Sequence, residues 1–180
     1  MYRDTPTAVH LADYRPPEFL IDRADLRFDL DAHDTRVEAT LEVRRNPAAT
    51  RGDGGLTLHG ERLDLEHLSI DDVALTPADY RVEPDRLVLH RVPDRFRLQT
   101  RVRICPRENT ALEGLYLSGE MLCTQCEAEG FRRITYFLDR PDVMTRFNTT
   151  LVADKARYPV LLSNGNPGHC DDLPDGRHLA

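Results

Sequence analysis

The sequence predicts an all-β fold of antiparallel strands, arranged as a sandwich or as curved sheets. Apolar and charged residues alternate along two segments near the N-terminus. Short strand-like segments then recur between prolines and turn residues, and no segment shows three turns of helical periodicity. Because a chain of 180 residues suits one domain, these strands are expected to share one core.

The clearest predicted element is a β-hairpin with one buried face and one solvated face. The apolar positions of its two strands are Ala24, Leu26, Phe28 and Leu30, followed by Val37, Ala39, Leu41 and Val43. Charged residues and a threonine occupy the positions between them, and the turn sequence HDT separates the two strands. This alternation is typical of strands that contact a core with one face only.

The other predicted elements follow along the chain. Residues 1–18 contain three prolines among scattered polar residues, which predicts an extended leader. A loop is expected at 46–55, and short strands at 56–58, 67–70, 74–75, 80–83, 86–90, 96–104, 147–153 and 160–162, with a last strand after Gly176. A short helical turn is expected near residues 140–146, where Asp139 is placed to cap it and Pro141 lies in its first turn.

The charge and composition exclude several classes of partner. The net charge is -7 and Lys155 is the single lysine, so arginines interspersed with acidic residues supply nearly all the positive charge. Without a clustered basic face, nucleic-acid binding is not expected. No apolar run approaches the ~20 residues of a membrane helix, and the N-terminus lacks the apolar segment of a signal peptide. The four cysteines therefore favour free thiols and a cytoplasmic location.

The stretch CTQCEAEGF, residues 123–131, contains two cysteines whose role needs an explanation. Cys123 and Cys126 have the spacing of half a zinc site, but the sequence offers no second pair of ligands with such spacing. A redox pair is also disfavoured, because the acidic residues Glu127 and Glu129 raise the pKa of a neighbouring thiol. Both hypotheses are therefore weak.

In an extended conformation, the same stretch places three hydrogen-bond acceptors on one face. These are Gln125, Glu127 and Glu129, and the opposite face carries Thr124, Cys126 and Ala128. A carboxylate beside an amide oxygen suits a primary ammonium group, because charge-assisted hydrogen bonds are short and strong. The alternative is that Glu127 and Glu129 pair with Arg132 and Arg133 on a solvated strand, and the residues alone leave both interpretations open.

No complete catalytic group is visible in the sequence. The seven histidines are scattered, and the chain lacks an H-E-x-x-H zinc motif, a G-x-S-x-G elbow and a glycine-rich phosphate loop. The chain is therefore not expected to be an enzyme by itself. Two non-enzymatic hypotheses are a stand-alone β-sandwich interaction or scaffold module without catalysis, and a small metal-binding protein that uses the four cysteines.

The segment NTALEGLYLSGEMLCTQCEAEGFRRITYFLDRPDVMTRF, residues 109–147, closely resembles the N-terminal domain of the bacterial aminopeptidase N family, within the M1 zinc metallo-aminopeptidases. The segments DYRPPEFLIDRADLRFDLD (13–31) and LVADKARYPVLLSNGN (151–166) fit the same family in the same order, while residues 46–105 fit loosely. The resemblance implies a curved, saddle-like β-domain over residues 19–180. It also implies that the chain is cut near the end of this domain and that the domain packs on a catalytic domain beyond Ala180.

The resemblance also implies a role in binding peptide substrates that have a free N-terminus. In this family a T-Q-x-E segment reaches into the substrate cleft, where its glutamate helps to hold the α-amine and its glutamine lines the pocket of the first side chain. Gln125 and Glu127 match these positions. The zinc of the parent enzyme is bound by the catalytic domain, so this chain is expected to contain no catalytic residue and no metal ligand, and to be inactive alone.

Overall fold

The computed structural model describes residues 10–50 and 52–180, and in these residues the fold is all-β, as predicted. The strands are β1 (Phe19–Leu30), β2 (Thr35–Arg45), β3 (Leu56–His59), β4 (Asp64–Ile70), β5 (Val73–Ala74), β6 (Tyr80–Glu83), β7 (Arg86–Leu89), β8 (Arg95–Ile104), β9 (Gly114–Ser118), β10 (Met121–Gln125), β11 (Arg146–Asp154), β12 (Asp171–Asp172) and β13 (Arg177–Leu179). The helical structure described consists of short 3-10 turns at Leu11–Asp13, Pro106–Glu108 and Phe131–Arg133.

The predictions for the two ends of the chain are tested only in part. Residues 1–9 of the predicted leader lie outside the described residues, and residues 10–18 contain one 3-10 turn and otherwise no regular structure. The strand predicted after Gly176 is present as β13. None of the described segments forms a helix that is long and apolar enough to cross a membrane.

The largest sheet contains eight strands in the order β12-β13-β11-β1-β2-β8-β4-β5. Its neighbouring strands are antiparallel except for β1 and β11, which run parallel from the pair Arg23 and Arg146 to the pair Leu30 and Ala153. Parallel neighbours need a long crossover connection, and the chain between β1 and β11 supplies one. The sheet is therefore mixed, although the sequence predicts antiparallel strands.

The predicted hairpin is confirmed by β1 and β2. Leu26 lies opposite Ala39 and Phe28 lies opposite Val37, and these four side chains are at most 6% exposed. The charged residues lie on the other face, where the Arg44 Nε atom donates to the Asp22 carboxylate at 2.8 Å. The period-two alternation therefore reports the buried and solvated faces correctly.

A second layer covers the buried face of the large sheet. It consists of a three-stranded sheet in the order β3-β7-β6 and of the segment after residue 133, where His59 and Phe137 form a β-bridge. The side chains that this layer adds to the apolar core are Leu56, Leu58, Leu87, Leu89, Ile134, Tyr136 and Phe137. Two packed β layers around one apolar core make the domain sandwich-like.

The segment near residues 140–146 contains a hydrogen-bonded turn but no helix. The Val143 N–H donates to the Arg140 carbonyl oxygen at 3.2 Å across Pro141 and Asp142. The expected cap does not form, because the Asp139 carboxylate accepts a hydrogen bond from the backbone of Arg132 at 3.1 Å. Asp139 therefore has a tertiary partner in place of the local one that the sequence suggests.

The strand predicted at residues 160–162 is wrong. These residues lie outside the strands, and Val160 and Leu162 are 69% and 83% exposed. Their apolar content indicates a strand, but a strand also needs a neighbour to bond with, and none of the described strands pairs with this segment.

Candidate functional site

The CTQCEAEGF stretch begins as a strand and continues as a turn. Strand β10 pairs with β9 from Met121 opposite Ser118 to Gln125 opposite Gly114, and it ends there. Residues 126–130 then turn, and the Gly130 N–H donates to the Cys126 carbonyl oxygen at 3.0 Å. The extended conformation assumed from the sequence is therefore wrong beyond Gln125, and residues 125, 127 and 129 do not share one strand face.

A glycine at position 130 permits this turn. A Cβ atom built on Gly130 would lie 2.5 Å from the Gln125 carbonyl oxygen and 3.0 Å from the Cys126 Cα atom. Both neighbours are backbone atoms, so a side chain at this position would displace the main chain. The close approach of Gly130 to the end of β10 thus fixes how the chain leaves the strand.

The turn brings the two predicted site residues together. The Gln125 Nε2 atom donates to the Glu127 carbonyl oxygen at 3.1 Å, and both side chains are exposed. Within the described part of the chain, no ion pair or side-chain hydrogen bond reaches the Glu127 carboxylate. The structure therefore joins the Gln125 amide to the backbone of Glu127, and the Glu127 carboxylate is exposed without a partner among the described residues.

The third acceptor, Glu129, has a different role. Its carboxylate forms an ion pair with the Arg132 guanidinium at 3.1 Å. Arg133 pairs instead with Glu61 at 2.7 Å and Glu113 at 3.4 Å. The alternative prediction, in which both turn glutamates pair with these arginines, is therefore correct for Glu129 and wrong for Glu127.

A buried ion pair beneath the turn is absent from the sequence predictions. The Arg132 Nε atom lies 2.8 Å from Asp139 Oδ2, and these side chains are 17% and 8% exposed. The Asp139 N–H donates to His59 Nδ1 at 3.2 Å, and burial lowers the pKa of His59. Neutral imidazole is therefore favoured, and it can accept this bond. The only sequence signal is the placement of charged residues within the otherwise buried segment 131–139.

The cysteines of the stretch show no arrangement suited to a metal or to redox chemistry. Burial raises the pKa of the Cys126 thiol to about 11, which disfavours the thiolate that both chemistries need. Among the residues that the structure describes, no three or more His, Cys, Asp or Glu side chains are grouped so as to bind a metal ion. Cys126 packs against the apolar core, whereas Gln125 and Glu127 are exposed.

An apolar cavity of about 510 Å³ lies on the other side of β10. Leu122 and Thr124 line it, and strand alternation places Gln125 on the opposite face. Three phenylalanines also line it: Phe131 lies edge-to-face with Phe137 and Phe147, with ring centroids 4.9 and 5.7 Å apart. Cys126, the first residue of the turn, also lines this space, whereas Gln125, Glu127 and Glu129 are not among its lining residues.

Comparisons with known proteins identify the family of this chain as a peptidase domain. Residues 21–180 match the Peptidase M1 N-terminal domain, and the chain belongs to that family. It is 51% identical over 180 residues to aminopeptidase N of Caulobacter vibrioides and 50% identical over 173 residues to aminopeptidase N of Escherichia coli. The matches cover 100% and 96% of this chain but only 20% and 19% of those proteins, so the chain spans about a fifth of their length.

Solved structures show the same fold. The crystal structure of Legionella pneumophila aminopeptidase A in complex with aspartic acid matches with a TM-score of 0.88 and 32% identity, covering 94% of this chain and 20% of that one. An M1 zinc metallopeptidase from Deinococcus radiodurans matches with a TM-score of 0.72 over 90% of this chain and 38% of its own. At 12% identity, the second match shows the fold alone.

Proposed function

We propose that this chain is the N-terminal domain of a zinc-dependent aminopeptidase that releases N-terminal amino acids from peptides. In this proposal Glu127 binds the free α-amine of the substrate, and Gln125 contacts the first side chain. The observation that carries the proposal is the exposed Glu127 carboxylate, which has no partner within the described residues, while the backbone of Glu127 is bonded to the Gln125 amide. Membership of the M1 peptidase family supports a peptide as the ligand of this pair.

The chemistry of the turn suits this role. An aminopeptidase must recognise a charged N-terminus and reject internal peptide bonds. A carboxylate whose charge is not already neutralised forms a strong charge-assisted bond with an ammonium group. The hydrogen bond from Gln125 Nε2 to the Glu127 backbone orients the amide and leaves its oxygen as an acceptor. The pair thus combines recognition of charge with a polar contact to the next group of the substrate.

Zinc does not fit the residues that the structure describes. The described residues contain no group of three or more metal-ligating side chains, and the half-buried Cys126 favours its neutral thiol. In the proposed enzyme the metal and the reacting groups belong to the catalytic domain, which is the first partner of this chain. The domain alone is therefore expected to lack peptidase activity.

The proposal includes a cytoplasmic location and excludes nucleic acid and membranes as partners. Cys105, Cys123, Cys126 and Cys170 are all free thiols, which is the common state in a reducing compartment. The arginines are largely neutralised by neighbouring acidic residues, as in the pair of Arg101 and Glu38 at 2.7 Å. This pairing leaves little of the clustered positive charge that phosphate backbones require.

Kinetics of a full-length aminopeptidase that carries this chain as its N-terminal domain test the proposal. We expect Glu127→Ala to lower kcat/KM for an amino-acid p-nitroanilide by about 100-fold, because the substrate loses its register. KM should rise and kcat should fall, while the melting temperature stays unchanged because Glu127 is exposed. Glu120→Ala is the matched control, since Glu120 is an exposed carboxylate at the other end of the β9–β10 hairpin. Wild-type kcat/KM in Glu127→Ala would refute the assignment.

A further inference from the structure

The Arg132 side chain connects three parts of the chain beneath the turn. Its Nε atom donates to Asp139 Oδ2 at 2.8 Å, and its Nη2 atom donates to the Asp139 carbonyl oxygen at 3.2 Å and to Glu129 Oε2 at 3.1 Å. The Arg132 backbone N–H donates to the same Asp139 carboxylate at 3.1 Å. One guanidinium group therefore links the end of the turn to the segment that follows it.

This pair is in turn anchored to the second layer of the fold. The Asp139 N–H donates to His59 Nδ1 at 3.2 Å. The backbone of His59 exchanges hydrogen bonds of 2.8 and 3.0 Å with Phe137, whose side chain belongs to the apolar core. Asp139 thus lies at a fixed position relative to the three-stranded sheet, and it transmits that position to Arg132.

The free glutamate lies between two fixed points. On one side, Gln125 is held by its pairing with Gly114 at the end of β10. On the other side, Glu129 is held by Arg132. Glu127 lies midway between them, so the position of its carboxylate depends on both ends of this short turn.

Stability alone does not account for a charged pair at this place. Replacing a buried ion pair by well-packed apolar residues is often neutral or stabilising, because the charges must be removed from water. What arginine provides beyond stability is direction: its planar group donates several bonds in a fixed geometry. The network around Arg132 uses this property, since three of its bonds have acceptors on two different segments.

We propose that Arg132 and Asp139 are positioning residues, which fix the turn so that the Glu127 carboxylate meets the substrate ammonium group. This inference rests on the function proposed above, in which Glu127 binds the amine. Neither residue contacts the substrate. They act by holding Glu129 and the chain that follows the turn, and so they set the geometry of the recognition site.

Arg132→Lys in the full-length aminopeptidase tests the positioning role. Lysine keeps the charge but loses the planar group that reaches both Asp139 and Glu129. We expect kcat/KM for an amino-acid p-nitroanilide to fall about tenfold, mainly through KM, because a small displacement of a positioning group is costly. Asp139→Asn, which keeps the size of the side chain and removes its charge, should act in the same direction and serves if Arg132→Lys folds poorly.

Arg45→Lys is the matched control for a general loss of packing. The Arg45 side chain is 15% exposed, close to the 17% of Arg132, and its Nε atom forms an ion pair at the same kind of distance, 2.7 Å, with Asp94, although that carboxylate is 60% exposed. Arg45 lies at the end of β2 and makes none of the contacts described for the turn. We expect Arg45→Lys to lower the melting temperature about as much as Arg132→Lys does, while leaving KM within twofold of wild type.

A double-mutant cycle separates positioning from a merely structural role. If Arg132 acts through Glu127, Arg132→Lys should change kcat/KM less than about twofold in a Glu127→Ala background, since the group being positioned is gone. An equal loss in both backgrounds would overturn the positioning role. The positioning role would also be overturned if Glu127→Ala lowers kcat/KM while Arg132→Lys and Asp139→Asn both keep a wild-type KM. If Glu127→Ala itself has wild-type kcat/KM, the proposed function fails first, and the positioning role fails with it.

Discussion

The solvated face of the β1–β2 hairpin and the turn after β10 both carry charged side chains, but they use them differently. On the hairpin the charges neutralise each other, as in the pair of Arg23 and Asp25 at 2.7 Å. In the turn, Glu129 is paired with Arg132, whereas Glu127 has no partner among the described residues. A paired carboxylate on a strand has its charge satisfied within the fold, while an unpaired carboxylate on an exposed turn keeps its full charge-assisted hydrogen-bonding capacity.

The first prediction concerns the hairpin, whose stability should depend on its buried face. Leu41 is fully buried in the core on β2. We expect Leu41→Ala to lower the free energy of unfolding by about 2–5 kcal/mol, because it removes apolar contacts and leaves a cavity. Urea unfolding of the chain, followed by circular dichroism, measures this change. A loss below about 1 kcal/mol would show that the buried face of the hairpin contributes little to the free energy of unfolding, contrary to this prediction.

The second prediction concerns the turn, whose shape should depend on a glycine. We expect Gly130→Ala to destabilise the chain by about 1–3 kcal/mol, since the added Cβ atom would meet backbone atoms of Gln125 and Cys126. Gly168→Ala is the control, because a Cβ atom there has no neighbour within 4 Å, and its effect should stay within about 0.5 kcal/mol. Equal unfolding midpoints for the two variants in urea would contradict the role of Gly130.

The third prediction is that the free energy of unfolding depends on pH through His59, which contacts Asp139 next to the turn. Burial, and then the nearby Arg132 charge, lower the pKa of His59. The unfolded chain therefore binds a proton at higher pH than the folded chain, so stability falls as pH drops below about 6.5 and levels off below the folded-state pKa. Protonation at Nδ1 also removes the acceptor for the Asp139 N–H.

A His59→Gln variant isolates this contribution. Glutamine has no group that titrates in this range, so the decline in unfolding free energy between about pH 7 and pH 5 should be smaller than in the wild type. The measurement is a series of urea unfolding curves for both proteins across that range. Parallel declines would show that His59 does not contribute and that the acid sensitivity lies elsewhere in the fold.

The smallest effect is expected on the solvated face of the hairpin. Glu38 and Arg101 form an ion pair at 2.7 Å, but both side chains are more than 40% exposed. We expect Glu38→Ala to change the free energy of unfolding by no more than about 0.5 kcal/mol, because water and salt screen such pairs. A loss above about 1.5 kcal/mol would mean that the charged face contributes to stability as the buried face does.

Local patterns explain what the sequence predicts correctly. The alternation around Leu26 and Val37 depends only on neighbouring residues, and it yields the hairpin with its faces assigned. The same rule fails after Gln125, because the chain turns where Gly130 approaches the backbone. At Val160 the pattern again resembles a strand, but a strand needs a partner that the local sequence does not specify.

Long-range contacts account for the rest. The parallel pairing of β1 with β11 joins segments that are far apart in the chain, and no local signal indicates it. The same is true of the site: His59 and Asp139 lie far apart in sequence, yet their contact anchors Arg132. The sequence therefore predicts that Gln125 and Glu127 are close together. It does not predict the contacts of Arg132 with Asp139 and Glu129, which hold the end of the turn.

The central claim is that the charged carboxylate of Glu127 binds the amine of a ligand. The most direct measurement compares the inhibition constant of an amino-acid analogue with that of its des-amino counterpart, on the full-length wild-type aminopeptidase and on Glu127→Gln. Glutamine keeps the size of the side chain and removes its charge. We expect the preference for the amine to fall by about tenfold or more in Glu127→Gln, since a bond to a charged group is lost. An unchanged preference would contradict the claim.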